Sequence, residues 1–127
     1  MRAKRIACDK ISELEFKALS VRLISNGKAE EALELLAKHY NVSSPKIRVG
    51  LPKRHRKNTL GCYTAKNLTI CLFNSDLLSE PFIVLHEFYH HLRTSIDRKH
   101  RGTERYASEF AKEFIEACKS LSAHVCS

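Results

Sequence analysis

The pentapeptide His86-Glu87-Phe88-Tyr89-His90 constrains this chain more than any other feature. Histidines at positions i and i+4 share one face only if the segment is helical. The flanking residues agree: Phe82, Leu85, Tyr89, Leu92 and Ile96 recur at spacings of three and four, an apolar stripe separate from the histidines. Ser79-Glu80-Pro81 supplies the start, because a proline in the first turn lacks only an N–H that would go unpaired there. A helix over roughly 79–96 therefore buries one stripe and carries two imidazoles that can reach one cation. Glu87 points to the side, where a metal-bound water would stand. A cation lowers the pKa of such a water to about 7, and a neighbouring carboxylate can take its proton.

Two histidines leave a tetrahedral metal short of a third protein ligand. A pattern with Gly three and His six residues after the second histidine fails, since Arg93 and Ile96 stand there. Glu104 falls in the first turn of the next helix, and antiparallel packing across a short turn would return it to the metal. Ala107 and Ala111 follow on its face and are small enough to let the helices approach closely. Asp97 and His100 are the alternative third ligands, whereas His91 points off the ligand face. The expected set is His86, His90 and Glu104 around zinc, with Glu87 as the catalytic carboxylate.

The rest of the chain supplies the scaffold. Ser12-Glu13-Leu14-Glu15 is a capping box that starts a helix running to about Asn26, with Gly27 at its end. A second helix spans about Lys28 to Tyr40, with Glu30, Glu31 and Glu34 near its start. Ile47 and Val49 alternate with Lys46, Arg48 and Gly50 as a short strand. Cys62-Tyr63-Thr64 and Leu68 to Phe73 are two further β-rich runs, joined at Lys66-Asn67 as a hairpin turn. That turn sets Cys62 opposite Cys71, as a cross-strand disulfide or, as a reducing cell favours, two buried thiols. The last helix runs from Thr103 to about Leu121 with Ala107, Ala111, Phe114, Cys118 and Leu121 buried. The order predicts an α+β fold: N-terminal helices in 1–45, a small three-stranded sheet in 46–75, two metal-site helices in 79–121 and a tail in 122–127.

Composition limits what else the chain can be. Its 127 residues predict one domain, and 43% apolar with 28% charged residues excludes wholesale disorder. No apolar run approaches the roughly 20 residues of a membrane span, so no membrane partner is expected. The basic start at Arg2, Lys4 and Arg5 is not followed by an apolar stretch, so the expected location is cytoplasmic. None of the five cysteines forms a C-x-x-C pair, which argues against a zinc ribbon or thioredoxin-like site. The net charge of +8 favours anionic partners. The basic clusters 53–57 and 98–101 make nucleic acid a second partner class, although without interleaved aromatics they read first as solvated loops. Tyr63 and Tyr106 read as packing residues before they read as oxyanion donors.

With His86-Glu87-x-x-His90 followed by Glu104-x-x-Ala107-x-x-Phe110-Ala111, the chain resembles the gluzincin metallopeptidases. It is most similar to the ImmA/IrrE-type domains and the stand-alone archaeal mini-gluzincins. Gly61-x-Tyr63 followed by Leu68 to Phe73 resembles their hairpin before the active-site helix. The resemblance covers about residues 45 to 115 and implies a small zincin-like domain that hydrolyses peptide bonds as an endopeptidase. It also implies that the strand near Leu68 to Asn74 is the rim of the cleft, with an extended peptide or protein substrate paired along its edge. The mini-gluzincins are latent forms whose own C-terminal segment fills the cleft. His124 and Cys126, both capable ligands, would allow the same of the tail here, although these last residues read first as a frayed end. Two departures stand out: Phe88-Tyr89 replaces a small Leu-Gly pair between the ligands, and no helix-turn-helix reader is evident.

Overall fold

Uninterrupted helical sequence at both ends of the chain leaves only its middle for strands, and the fold follows that division. In the computed structural model the backbone is described for residues 2–51, 60–96 and 103–126, and side chains within 13–51, 60–94 and 104–121. The elements are α1 (Arg2–Ser25), α2 (Ala29–Tyr40), β1 (Lys46–Val49), β2 (Gly61–Thr64), β3 (Thr69–Leu72), a 3-10 turn (Ser75–Ser79), α3 (Pro81–Ile96) and α4 (Thr103–Cys126). This is the expected α+β architecture, four helices with a small mixed sheet.

Both helix joints are set by left-handed residues. Gly27 has φ +81°, and Gly27 and Lys28 donate their N–H groups back to Ile24 and Leu23 at 3.0 and 2.8 Å. Asn41, at φ 60°, ends α2 in the same way, with Val42 N–H on the Ala37 carbonyl at 2.9 Å. Glycine and asparagine take this conformation at the least steric cost. Two helices are longer than the sequence signals suggested. α1 starts at Arg2, not near Ser12, because no Gly or Pro in 2–11 stops the helix and the capping box falls inside it. α4 likewise runs through Leu121 to Cys126, so the expected tail is helical backbone.

The sheet order is β1-β3-β2, with β1 parallel and β2 antiparallel to β3. This corrects the expectation that Leu68 to Asn74 offers a free edge. β3 is the central strand, and the pairing extends past both its ends. Lys46 N–H bonds the Leu68 carbonyl at 2.8 Å, Gly50 N–H the Leu72 carbonyl at 2.7 Å, and Phe73 N–H the Leu60 carbonyl at 2.8 Å. The cause lies in composition: Thr69, Ile70, Cys71 and Leu72 are all buried, while β1 and β2 are only partly so. A continuously buried strand belongs in the middle of a sheet. The hairpin loop has four residues, 65–68, closed by Leu68 at φ 52°. The register is the expected one, with Cys62 opposite Cys71, and both are free thiols.

The Leu60–Phe73 bond fixes which groups of β2 face outward. Antiparallel pairs alternate between bonded and non-bonded residues. Cys62 and Thr64 therefore turn their backbone groups to β3, and Gly61 and Tyr63 turn theirs away. Among the described residues, no strand covers that outer edge of β2.

The core joins every layer. Ile24, Leu33, Leu36, Ile70, Leu72, Leu85, Phe88 and Phe114 are all at most 1% exposed. α3 and α1 both pack against α4, and Ala107 and Ala111 are fully buried, as the close approach of α3 and α4 requires. Asp97, His100 and the clusters 53–57 and 98–101 lie outside the described residues, as do the side chains of His124 and Cys126. Among the described residues no helix is long and apolar enough to cross a membrane.

Candidate metal centre

α3 places His86 and His90 one turn apart, with ring centroids 5.1 Å from each other. The first turn of α4 brings Glu104 across the gap. Glu104 Oε1 lies 2.9 Å from His86 Nε2, and Oε2 lies 3.0 Å from His90 Nε2. One ligand atom from each of the three residues falls within 4.8 Å of the others. Tetrahedral zinc with bonds near 2.0–2.2 Å separates its ligands by about 3.3 Å. The two imidazole–carboxylate distances lie a few tenths of an ångström below that value, and two imidazoles with one carboxylate suit a first-row divalent ion. The group can hold a metal ion.

The surroundings tune these donors. Burial pushes His90 below the usual imidazole range and His86 adds to this, while the Glu104 carboxylate works in the opposite direction. The net direction favours neutral imidazole, the form that ligates. His86 Nδ1 lies 3.4 Å from Ser108 Oγ. Ser108 stands one turn after Glu104 on α4. Its hydroxyl can accept from Nδ1–H and so leave the Nε2 lone pair free for a cation, or donate when Nε2–H bonds Glu104.

Glu87 is 7% exposed. Burial, and then the Glu104 charge, pushes its carboxyl up to about 7. It shares with His90, Glu104, Gly61, Cys62 and Tyr63 the lining of a cleft of about 680 Å³. The cleft is therefore walled by the two metal-site helices on one side and by β2 on the other. Cys62 presents a thiol pushed up to about 11, by burial first and by the facing Cys71 next, so it stays protonated at neutral pH.

Tyr63 is tied to the back of α3. Its Oη lies 2.7 Å from His91 Nδ1, and His91 Nε2 lies 2.7 Å from the Ser43 carbonyl. A carbonyl can only accept, so Nε2 carries the imidazole proton and Tyr63 O–H donates to Nδ1. The phenol proton is thus directed at His91, away from any oxyanion in the cleft. Tyr106 is 46% exposed on α4.

His86, His90 and Glu104, grouped from the sequence, stand close together here, and Glu87 shares a cleft lining with two of them. Sequence reasoning missed Ser108, although its position four residues after Glu104 on the same helix face was a usable signal. It also missed the Tyr63–His91 link, which joins residues 28 apart and has no local signature. Comparisons with protein-family models, with curated proteins and with solved structures find no match to this chain.

Proposed function

We propose that this protein is a zinc-dependent metallopeptidase of the gluzincin kind, an endopeptidase acting on extended peptide segments. The observation that carries this reading is the convergence of His86, His90 and Glu104, with the buried Glu87 lining the same cleft as His90 and Glu104. His86 and His90 from α3 and Glu104 from α4 would hold zinc, which when bound polarises the scissile carbonyl and acidifies water. Glu87 takes the proton of the attacking water and returns it to the leaving amine. Substrate lies along β2, whose outward N–H and C=O groups at Gly61 and Tyr63 offer a free strand edge beside the site. Main-chain pairing of this kind gives affinity with little dependence on substrate sequence. The proposal places the protein in the cytoplasm, where the facing thiols Cys62 and Cys71 would stay reduced.

The backbone of residues 122–126 continues α4 away from Glu104. His124 is 20 residues beyond Glu104 on the continuous helix α4, so about 30 Å separates their backbones along its axis.

The test is zinc content per chain, followed by hydrolysis of unstructured protein substrates. About one zinc per chain is expected. Glu87→Gln should keep the metal while losing 10²- to 10⁴-fold in turnover, and Glu104→Ala should lose metal affinity. A chain that takes up no zinc at neutral pH, or a fully active Glu87→Gln, overturns the proposal.

A further inference from the structure

β2 is a four-residue edge strand, paired among the described residues only to β3. It nevertheless has to present its free edge at a fixed distance from the metal ligands, which stand on α3. Gly61 and Tyr63 both contact that helix. Gly61 comes so close to Ile83 that a Cβ there would lie 3.3 Å from its Cγ2 and 3.1 Å from Leu72 Cδ2. Two residues on, and on the same face of the strand, Tyr63 reaches His91 at 2.7 Å.

His91 is the residue after the ligand His90, is fully buried, and passes the link on to the Ser43 carbonyl at 2.7 Å. One imidazole thus holds three segments together: the substrate-side strand, the metal helix, and the loop between α2 and β1. The chain of bonds has one polarity, from Tyr63 O–H into Nδ1 and from Nε2–H into Ser43. A phenylalanine at 63 or an apolar ring at 91 would fill the space and lose the link.

We infer that Tyr63 and His91 are positioning residues that hold the substrate-binding edge of β2 in register with the metal centre. Neither touches the metal or the reacting atoms. Tyr63 offers substrate its backbone, and its side chain fixes where that backbone lies. Losing the bond lets β2 ride away from α3, so that a peptide can satisfy the strand edge or the metal but not both well. The penalty falls on ligands that span both sites. This rests on the metallopeptidase reading and adds to it the device that sets the cleft width.

The test uses two probes on the zinc-loaded protein. Acetohydroxamate engages zinc alone, whereas a tripeptide hydroxamate engages zinc and also extends along the strand. Wild type should bind the tripeptide probe more tightly. Tyr63→Phe should lose about tenfold for the tripeptide probe, the worth of one hydrogen bond, and retain its affinity for acetohydroxamate and for zinc. The double variant Tyr63→Phe/His91→Phe replaces both partners by rings and leaves no unpaired Nδ1. It should show the same selective loss and serves if the single variant folds poorly. Equal loss on both probes, or none on either, overturns the inference while leaving the metallopeptidase reading standing. A wild type that takes up no zinc, or gains nothing from the peptide extension, overturns that reading and the inference with it.

Discussion

Replacing Glu87 by Gln should stabilise the metal-free protein at pH 8 and leave it nearly unchanged near pH 4.5. Glu87 is 7% exposed, and burial with the nearby Glu104 charge raises its carboxyl from 4.5 to about 7. A folded-state value above the unfolded one means that the fold resists the charge. Below 4.5 the group is neutral in both states and costs nothing. Between 4.5 and 7 the unfolded chain ionises first, so stability falls as pH rises. Above 7 the cost is complete: the interval from 4.5 to about 7, at 1.36 kcal/mol per pH unit, amounts to about 3 kcal/mol. Glutamine fills the same space without the charge. For a domain of this size, about 3 kcal/mol corresponds to roughly 10 °C in Tm. The assay is thermal unfolding of both proteins in chelator at pH 4.5 and pH 8. A bound cation favours the carboxylate, so the advantage of glutamine should shrink when a divalent cation is added. No gain at pH 8, or an equal gain at both pH values, would refute the reasoning, because neither outcome can come from an ionisation held back by burial.

Ser108→Ala should weaken zinc binding 10- to 100-fold by freeing the His86 ring, and Ser108→Thr should recover most of it in a competition titration. Ala107→Leu, at a fully buried position, should cost about 1–3 kcal/mol by overpacking. It should also weaken zinc binding, because it pushes α4 and Glu104 away from α3; chemical denaturation and metal titration check the two effects. Cys62, with its thiol held at about 11, should alkylate far more slowly at pH 7.5 than a free thiol of ordinary pKa. Mass spectrometry after an iodoacetamide pulse would show whether it does.

The legible parts of this protein were those whose cause is local. The helical spacing of His86 and His90, the proline start of α3 and the glycine stop at Gly27 each depend on a few neighbouring residues, and each is where the sequence puts it. The register of Cys62 against Cys71 was equally readable from a short loop. Glu104 was reachable by one further step, since Ala107 and Ala111 announce a close helix pair. What failed was order across the sheet. β1 lies beside β3 because Thr69 to Leu72 is buried throughout, a preference that acts only once the helices are in place. The capping box at Ser12 failed for the opposite reason: it is a local signal, but the residues before it are helical already. The polar link from Tyr63 through His91 to Ser43 joins three segments and has no pattern along the chain at all.

The bulky Phe88-Tyr89 pair between the two histidines now has a structural reason. A small pair there would remove two aromatic rings from the contact between α3 and α4. Phe88 is fully buried, stacks toward Phe110 at 6.3 Å and meets Tyr40 at 6.1 Å. Tyr89 reaches the same Phe110 ring at 5.3 Å. Phe110 lies six residues beyond Glu104 on α4, so two adjacent residues of the metal helix grip the helix that carries the third ligand. Aromatic pairs at these distances add about 0.5–1.5 kcal/mol each beyond their burial. Phe88, Tyr89 and Phe110 thus form part of the core on which the three donors stand.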